Sequence, residues 1–362
     1  MMNIPTTFSI ITGDVRDVIS QVPTVHCVVT SPPYFDKMKY GPSEGELGHE
    51  DSADAYVSIL CDVFEAIPLH ELGSIWVNIG DKRGPNGGLI GVPSLFSIEM
   101  RRRGFLLVDD IVWAKGITGR DGTIVGNFMT EPAPNRLNGN GWESIFRFTK
   151  GKGAWTDMQA VAVPRFNVES HRYLPPRLME IHTDIEGRRP TNVWQMPLGK
   201  TGRRHFSTFP LDIPERAIAM TCPPYVNPDG TLPARIIEMV EYDEGKNGKR
   251  IFGKYNLMDG DEEGELRGRS GRADTGCGYT PRKPVTMGWT SVSVEATSGI
   301  VLDPFAGVGT VGQVALRMGR SFIGVELYEE FARDAEAGCS LVAGEIQMMN
   351  DRFGWNPLGL MR

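Results

Sequence analysis

Residues 299–312 read GIVLDPFAGVGTVG, and this stretch decides the fold. It opens with a short apolar run rich in β-branched residues, which predicts a buried strand, and continues into closely spaced glycines. A helical pattern follows over 311–318, and a second apolar run over 321–326 ends in Glu326. The result is a predicted β-α-β unit with glycines at its first turn. Such glycines let backbone N–H groups approach a ligand closely, and Glu326 can accept hydrogen bonds from two ribose hydroxyls.

The first 150 residues show the same alternation of strands and helices. Short β-branched runs predict strands, and apolar residues spaced three or four apart predict helices between them. Strands alternating with helices of this length form a mainly parallel sheet with helices on both faces, so the fold class is α/β. The predicted strands are 8–12, 26–29, 74–79, 105–113 and 144–148, and the predicted helices are 15–22, 53–67 and 93–103.

Two irregular stretches interrupt this pattern. Residues 151–200 hold many prolines and arginines, and residues 223–298 are rich in Gly, Asp, Glu, Lys and Arg. The segment 259–272 has almost no apolar residues and is predicted to be mobile. A helical run over 214–220 separates the two irregular stretches.

The composition of the whole chain bounds its class. With 362 residues the chain can form one large α/β domain with insertions or two domains. The net charge of −7 means that a nucleic-acid partner would be held by a local basic face. No apolar run approaches the roughly 20 residues of a membrane span, and the N-terminus lacks a signal-peptide pattern. The five cysteines form no CxxC pair, which suits free thiols in the cytoplasm and predicts no metal site.

A second stretch, Thr30 to Phe35, has the sequence TSPPYF and follows the predicted strand 26–29. Its two prolines end the strand, because neither can donate to a sheet and each fixes its own φ. The result is a stiff loop with a small hydroxyl at its start and an aromatic ring at its tip. By itself such a loop is typical of a rigid turn, and only a matching second site gives it a function.

The glycine-rich loop allows more than one nucleotide-like ligand. Residues 307–312 fit the dinucleotide fingerprint G-x-G-x-x-G, which alone is weak evidence. Too few residues follow Gly309 for the other mononucleotide half in the usual order, and the preceding Asp303-Pro304-Phe305 is no part of that fingerprint. Both features argue against a nicotinamide cofactor.

The two loops together resemble those of the DNA amino-methyltransferases, which methylate cytosine N4 or adenine N6. DPFAGVGT at 303–310 resembles the S-adenosylmethionine loop of that family, and SPPY at 31–34 resembles its catalytic motif. The catalytic loop comes first here, as in the permuted β group of the family. The resemblance implies a Rossmann-like S-adenosylmethionine-dependent methyltransferase fold in circularly permuted order, with irregular DNA-recognition insertions.

The resemblance also assigns residues. It implies Ser31, Pro32, Pro33 and Tyr34 as catalytic residues, with Tyr34 and Phe35 stacking on a flipped target base. It implies S-adenosyl-L-methionine as the cofactor. The implied cofactor-binding residues are Asp14, His205, Phe206, Asp303, Pro304, Phe305, Gly307, Gly309, Thr310 and Glu326.

The chemistry explains why the catalytic motif has these residue types. The lone pair of an exocyclic amino group is delocalised into the base, so the nitrogen is a poor nucleophile. If Ser31 Oγ and the Pro32 carbonyl accept its two N–H hydrogens, the lone pair is freed to attack the methyl group directly. This route requires no covalent intermediate, no metal and no cysteine.

Carbon-5 cytosine methylation, in contrast, requires a cysteine nucleophile in a Pro-Cys pair, and no Pro-Cys dipeptide occurs in the chain. A second copy of the Pro-Pro-Tyr pattern, TCPPY at 221–225, follows a helical run rather than a strand, so we interpret it as a helix end. Serine before Pro-Pro goes mostly with cytosine N4 in the family, and an acid or asparagine mostly with adenine N6. Ser31 therefore favours cytosine N4.

Other functions share parts of this pattern. The alternatives are an adenine N6 methyltransferase, an RNA or protein N-methyltransferase with the same loops, a nicotinamide-dependent oxidoreductase, and a catalytically inert DNA-binding relative. The expected partner is double-stranded DNA, and a cognate restriction endonuclease is a candidate second partner. The sequence leaves monomer and homodimer open.

The predicted division of the chain follows from these assignments. Arginines within 165–204 and basic residues within 246–283 are candidates for contacts to phosphates and bases. The predicted segments are 8–150, catalytic half; 151–192, target recognition; 193–222, cofactor-closing segment; 223–298, irregular insertion; 299–345, cofactor-binding half; and 346–362, C-terminal tail.

Overall fold

A large twisted sheet carries the fold of the computed structural model, which describes residues 4–37, 39, 41, 45–118, 124–125, 141–162, 189–198, 210–241 and 282–353. The strands of the described chain are β1 (Phe8–Thr12), β2 (Val25–Thr30), β3 (Leu69–Ile79), β4 (Leu106–Thr118), β5 (Ile124–Val125), β6 (Trp142–Thr149), β7 (Val193–Pro197), β8 (Arg235–Glu241), β9 (Arg282–Trp289), β10 (Ile300–Asp303) and β11 (Ser321–Glu326).

The helices of the described chain alternate with these strands. Several begin or end with a recognisable signal: Ser52 caps its helix by accepting from the N–H of Ala55, and Pro93 lies in the first turn of another. The helices are α1 (Val15–Val18), α2 (Ala53–Ala66), α3 (Val92–Arg102), α4 (Asp212–Thr221), α5 (Thr310–Arg317) and α6 (Glu329–Phe353).

The main sheet joins the two ends of the sequence. Its nine described strands run in the order β1-β11-β10-β2-β3-β6-β4-β5, and β7 pairs with β4. The pairs from β1 to β3 along this order are all parallel, whereas β6 is antiparallel to both β3 and β4. Val301 pairs with Cys27, so the strand before the glycine loop lies beside the strand before the Pro-Pro loop. The predicted α/β fold with a mainly parallel sheet is confirmed.

Helices cover both faces of the sheet. Successive side chains of β2 point to opposite faces, as expected for a strand. Val28 belongs to one buried cluster with side chains of α2 and α3, while Cys27 and Val29 belong to another with side chains of α4, α5 and α6. Every residue of β2 is buried, as in the central strands of parallel sheets.

Most predicted elements are present with shifted ends. The predicted helix 15–22 is a single α-helical turn, α1, followed by a 3-10 turn at Ile19–Gln21. Strand β7 was not predicted, and it lies at the boundary assigned to the cofactor-closing segment. Helix α6 continues to Phe353, so the residues just after 345 belong to the helix rather than to a separate tail.

The chain divides into two units. The first comprises residues 1–163, 189–234 and 289–362 and holds the main sheet; the second comprises 164–188 and 235–288. Strands β8 and β9 pair in a separate two-stranded sheet within the predicted insertion 223–298. Most of the predicted target-recognition region and the predicted mobile segment 259–272 lie outside the described residues. Among the described helices, none is long and apolar enough to cross a membrane.

Candidate active site

A cavity of about 520 Å³ opens where β1, β2, β3, β10 and β11 reach their carboxyl ends. This volume lies within the range of roughly 300–1,000 Å³ of small-molecule sites, and ligands of α/β sheets bind at this edge. Both sequence loops contribute to its wall. The predicted site residues that line it are Asp14, Ser31, Pro32, Pro33, Tyr34, Asp303, Pro304, Phe305, Gly307, Thr310 and Glu326.

The remaining predicted site residues lie elsewhere. The Phe35 ring packs 5.7 Å from the ring of Tyr56 against the buried cluster under α2, and it is not part of the cavity wall. Gly309 lies behind the wall, at the N-terminus of α5. His205 and Phe206 lie outside the described residues.

A side-chain hydrogen bond joins the two loops. Thr30 Oγ1 donates to Asp303 Oδ1 at 2.7 Å, across 273 positions of sequence. The same Asp303 oxygen accepts from the backbone N–H of Phe305. Asp303 is 2% exposed, and burial raises the pKa of its carboxyl to about 7. The end of β2 is thus tied directly to the end of β10.

The Pro-Pro loop is held from its outer side as well. The hydroxyl of Tyr56, a buried residue of α2, donates to the Pro33 carbonyl at 2.8 Å. The backbone N–H of Asp36 donates to the carbonyl of Gly48. A Cβ at Gly48 would lie 3.0 Å from the Tyr34 carbonyl, so glycine permits the close approach of these two segments. These contacts place Ser31 in advance of any ligand.

A polar network lies beneath Tyr34. Its hydroxyl is 2.7 Å from Glu143 Oε2 and 2.7 Å from Asn78 Nδ2, and Asn78 Nδ2 also donates to Glu143 Oε2 at 2.8 Å. Lys115 Nζ lies 2.8 Å from the other carboxylate oxygen of Glu143. Asn78, Glu143 and Lys115 are all buried, and Asn78 Oδ1 makes no hydrogen bond to the described residues.

The glycine-rich loop forms another part of the cavity wall. The N–H of Gly307 donates to Glu326 Oε2 at 2.8 Å, and the N–H of Tyr328 donates to Oε1 at 3.0 Å. Glu326 therefore holds the loop at the tip of β11, and each oxygen keeps a further lone pair for a ligand. Gly309 has a φ of +78°, and a Cβ there would lie 2.9 Å from Cα of Ala335 in α6. Glycine at 309 is thus required by the backbone conformation and by close packing.

The charges of the cavity suit a cationic ligand at this wall. The cofactor-side carboxylates are Asp14, Glu46, Asp303 and Glu326, whereas the described lysines of the wall, Lys37 and Lys115, lie beside Glu143. Arg16 pairs with Asp14 and holds the pKa of that carboxyl below its usual value. Acids on one wall and an aromatic ring at Phe305 fit the sulfonium and adenosyl groups of S-adenosylmethionine.

The second Pro-Pro-Tyr pattern is structural. Helix α4 ends at Thr221, whose hydroxyl accepts from Trp76 Nε1 at 2.8 Å. Fully buried Arg320 donates through Nε and Nη2 to the carbonyl of Cys222. Burial raises the pKa of the Cys222 thiol well above its usual value, so the thiolate needed for nucleophilic attack is disfavoured. The interpretation of this stretch as a helix end is confirmed.

Sequence reasoning gave no site role to four residues: Thr30, which donates to Asp303 of the cavity wall, and three residues of the wall itself, Asn78, Lys115 and Glu143. A positional signal exists for the first three: each lies near the carboxyl end of a strand, the edge where α/β sheets bind ligands. Glu143 lies near the start of β6 instead. Because β6 runs antiparallel to β3, its start lies at the same edge, which only the sheet topology reveals.

The sequence matches a known family over most of its length. The profile of a family of N6 and N4 methyltransferases, described as DNA methylase, covers residues 25–230 and 289–337. These ranges include both loops that line the cavity.

Individual relatives are similar over nearly the whole chain. The Type II methyltransferase M.SmaI of Serratia marcescens is 25% identical, with 89% of this chain and 87% of the relative covered. M.SfiI of Streptomyces fimbriatus, also a Type II methyltransferase, is 23% identical, with coverage of 94% and 93%. Among solved structures, the cytosine-N4-specific PvuII DNA methyltransferase has the same fold, with a TM-score of 0.52, 16% identity and coverage of 94% and 93%.

Proposed function

The chain belongs to the DNA methylase family of N6 and N4 methyltransferases, and we propose that it methylates cytosine N4 at a specific sequence in duplex DNA. The observation that carries this proposal is the joining of two sequence-distant loops at one cavity. The Thr30–Asp303 hydrogen bond joins the end of the strand before the Pro-Pro loop to the end of the strand before the glycine-rich loop, and residues of both loops line the cavity, which supports the proposal. A methyl transferase requires this juxtaposition, because donor and acceptor must meet in line.

Residues of the glycine-rich loop and its neighbours would hold the cofactor. When bound, S-adenosyl-L-methionine supplies a methyl group on a positively charged sulfur. Glu326 offers lone pairs for ribose hydroxyls at the tip of β11, and Asp303 offers negative charge to the cationic end once ionised. Phe305 supplies an apolar surface in the wall of the same cavity.

Residues of the Pro-Pro loop would activate the target. Ser31 Oγ and the Pro32 carbonyl accept the two N–H hydrogens of the amino group, which frees the nitrogen lone pair. Methyl transfer would form the N–C bond as the S–C bond of the donor breaks, with the electron pair of that bond left on sulfur and one proton of the methylated nitrogen released to solvent. Tyr34 forms the floor on which a flipped base would stack.

The choice of cytosine depends on Ser31. Its serine type before Pro-Pro is the feature that, by resemblance to the family, goes mostly with cytosine N4. The experiment that tests it is methylation of mixed duplex DNA by the purified chain, digestion to nucleosides and mass spectrometry against standards. We expect N4-methylcytosine. If the product is N6-methyladenine, the target is adenine N6 and not cytosine N4. If no methylated nucleoside forms, the DNA methyltransferase proposal itself is contradicted.

A protective role in restriction and modification is part of this proposal, and its support is that M.SmaI and M.SfiI are Type II methyltransferases. Sequencing of DNA methylated by the chain would give the modified position in its sequence context. Endonucleases that cut at that context should then fail to cut the methylated DNA while cutting the untreated DNA. Cutting of both would contradict a protective role.

A further inference from the structure

A chain of hydrogen bonds leads from Ser31 into the protein interior. Ser31 Oγ is 3.2 Å from the Tyr34 hydroxyl, and that hydroxyl is 2.7 Å from Glu143 Oε2. The interior end of the chain is a carboxylate that lies between Lys115 and Asn78. Glu143 belongs to β6, whereas Ser31 and Tyr34 belong to the loop after β2.

The hydroxyl of Tyr34 can donate its proton to only one partner in this series of hydrogen bonds. Lys115 lies 2.8 Å from Glu143 and holds the pKa of the buried carboxyl below its usual value despite burial, so Glu143 is ionised and only accepts. If the Tyr34 proton pointed elsewhere, two bare oxygens would face each other at 2.7 Å. Tyr34 must therefore donate to Glu143.

Asn78 strengthens the same direction. Its Nδ2 lies 2.8 Å from Glu143 Oε2 and 2.7 Å from the Tyr34 hydroxyl. The reversed amide would set Oδ1 against the carboxylate, so the amino group must face Glu143 and donate to both oxygens. Asn78 is thus a fixed donor beside Tyr34, and the hydroxyl of Tyr34 can only accept from it.

These directions decide what Ser31 can do. Because the Tyr34 proton is used on Glu143, its oxygen accepts the proton of Ser31. We propose that Glu143 and Tyr34 are positioning residues that hold the Ser31 proton on the interior side, so that Ser31 Oγ presents only lone pairs to the target amino group. The inference rests on the proposed function and deepens it.

The polarity matters for the chemistry. A serine hydroxyl can donate as well as accept, and a donor aimed at the target nitrogen would occupy the lone pair that must form the new N–C bond. With the proton held inside, Ser31 Oγ can only accept an N–H hydrogen of the amino group. These hydrogen bonds from Ser31 through Tyr34 to Glu143, here called the relay, make a neutral hydroxyl act only as an acceptor. An ionised carboxylate has this property by itself.

The Tyr34→Phe variant separates this role from base stacking. Phenylalanine keeps the ring, so a residue that only stacks loses little. The relay, in contrast, needs the hydroxyl, without which the Ser31 proton is free to turn toward the target. Glu143→Gln is a second, nearly isosteric variant, because a neutral amide cannot satisfy Lys115, Asn78 and Tyr34 all as an acceptor.

Tyr225→Phe is the matched control. Tyr225 follows Pro223-Pro224 as Tyr34 follows Pro32-Pro33, it is buried, and its hydroxyl makes no hydrogen bond to the described residues. The measurement is single-turnover methylation of duplex DNA with the full chain in excess, at increasing protein concentration. The plateau rate reports chemistry, the half-saturating concentration reports DNA binding, and calorimetry without DNA gives the affinity for S-adenosylmethionine.

The expected result is a plateau rate at least tenfold lower in Tyr34→Phe and in Glu143→Gln, with both affinities within twofold of the unaltered chain. Tyr225→Phe should keep the plateau rate within twofold. A plateau rate within twofold of the unaltered chain in Tyr34→Phe would overturn the relay. A variant that loses only affinity for DNA or for the cofactor would also overturn the relay, because such a loss indicates base stacking or misfolding. Failure of the proposed function is distinguishable from failure of the relay, because it would appear as an absence of DNA methylation by the unaltered protein.

Discussion

Ser31 and Asp303 face the same cavity, but their environments act on their protons in opposite ways. Ser31 is linked through Tyr34 to an ionised interior carboxylate, so its oxygen is presented to a ligand as an acceptor. Asp303 is itself buried. Among the described residues, its carboxyl accepts hydrogen bonds only from the Thr30 hydroxyl and the Phe305 N–H. Burial outweighs these bonds and favours the protonated form. The two residues should therefore fail differently when they are altered.

Replacement of Ser31 by alanine should abolish methyl transfer and leave cofactor binding intact. Alanine removes the proposed side-chain acceptor of the target amino group, and loss of one such preorganised group typically slows chemistry by about 100-fold or more. Radiolabelled methyl transfer to duplex DNA measures the rate, and calorimetry measures the affinity for S-adenosylmethionine. Loss of cofactor affinity in this variant would count against the division of roles between the loops.

The affinity for S-adenosylmethionine should rise with pH between 6 and 7.5. Asp303, with a pKa of about 7 in the free chain, is mostly protonated at the lower pH and mostly ionised at the higher, and a cation favours the ionised form. The expected gain is several-fold, measured by calorimetry at both pH values.

Asp303→Asn is the control for this pH dependence. Asparagine cannot ionise, so the variant should bind more weakly and lose most of the gain with pH. Burial also raises the pKa of Glu326 above its usual value, so a smaller rise of cofactor affinity with pH should remain in this variant. An unchanged pH dependence in Asp303→Asn would show that another group titrates.

At the scale of elements, the β-α-β unit of β10, α5 and β11 shows how far local sequence reaches. Apolar runs and glycines predicted all three elements within a residue or two. The reason that Gly309 must be glycine, however, lies in α6, where Ala335 packs against it. The sequence around Gly309 holds no sign of this contact with a later helix. The sequence therefore predicts only a cofactor role for Gly309, and the structure adds its close packing.

Replacement of Gly309 by alanine should destabilise the fold. A left-handed φ costs a residue with a Cβ about 1–2 kcal/mol, and the clash with the backbone of Ala335 adds to this. Gly344→Ala in α6 is the matched control: a Cβ there meets nothing within 4 Å, so helix propensity should raise the free energy of unfolding by up to about 1 kcal/mol. Urea titration of both variants gives the comparison. Equal stabilities would mean that the loop adapts without strain.

At the scale of the whole molecule, the cavity combines the two ends of the chain. Strand β1 pairs with β11 and β2 pairs with β10, so residues near 14 and 31 line the same cavity as residues near 303 and 326. A permuted order of motifs in sequence thus becomes a single site. Neither end can form that site alone.

Cofactor binding should therefore protect both ends of the chain together. S-adenosylmethionine at about 100 times its dissociation constant stabilises the native state by about 2.7 kcal/mol. Hydrogen exchange followed by mass spectrometry should slow in peptides that contain β1 and β2 and in peptides that contain β10 and β11. The Asp303→Ala variant should lose protection at both ends at the same ligand concentration. Protection confined to residues after 299 would contradict a site shared by both ends.

The sequence by itself determined the α/β class, the order of most strands and helices, and the two loops of the site. These properties depend on local periodicity, on proline and glycine geometry, and on residue types within a few positions of each other. Glu326 was identified in this way, whereas the predicted roles of Ser31 and Asp303 depend on the resemblance of their loops to those of the family. The structural nature of TCPPY at 221–225 was also identified from local sequence, because a helical run before it is a local signal.

Only the tertiary structure decided what surrounds these residues. Asn78, Lys115 and Glu143 come from three different strands, and their meeting beneath Tyr34 follows from the antiparallel insertion of β6 beside β3. Likewise, Thr30 reaches Asp303 because β2 and β10 are neighbours. Strand pairing between distant segments sets these contacts, and the proton direction at Ser31 follows from them. The sequence motif marks Ser31 as the proposed acceptor, and the folded sheet supplies the hydrogen bonds that direct its proton toward the interior.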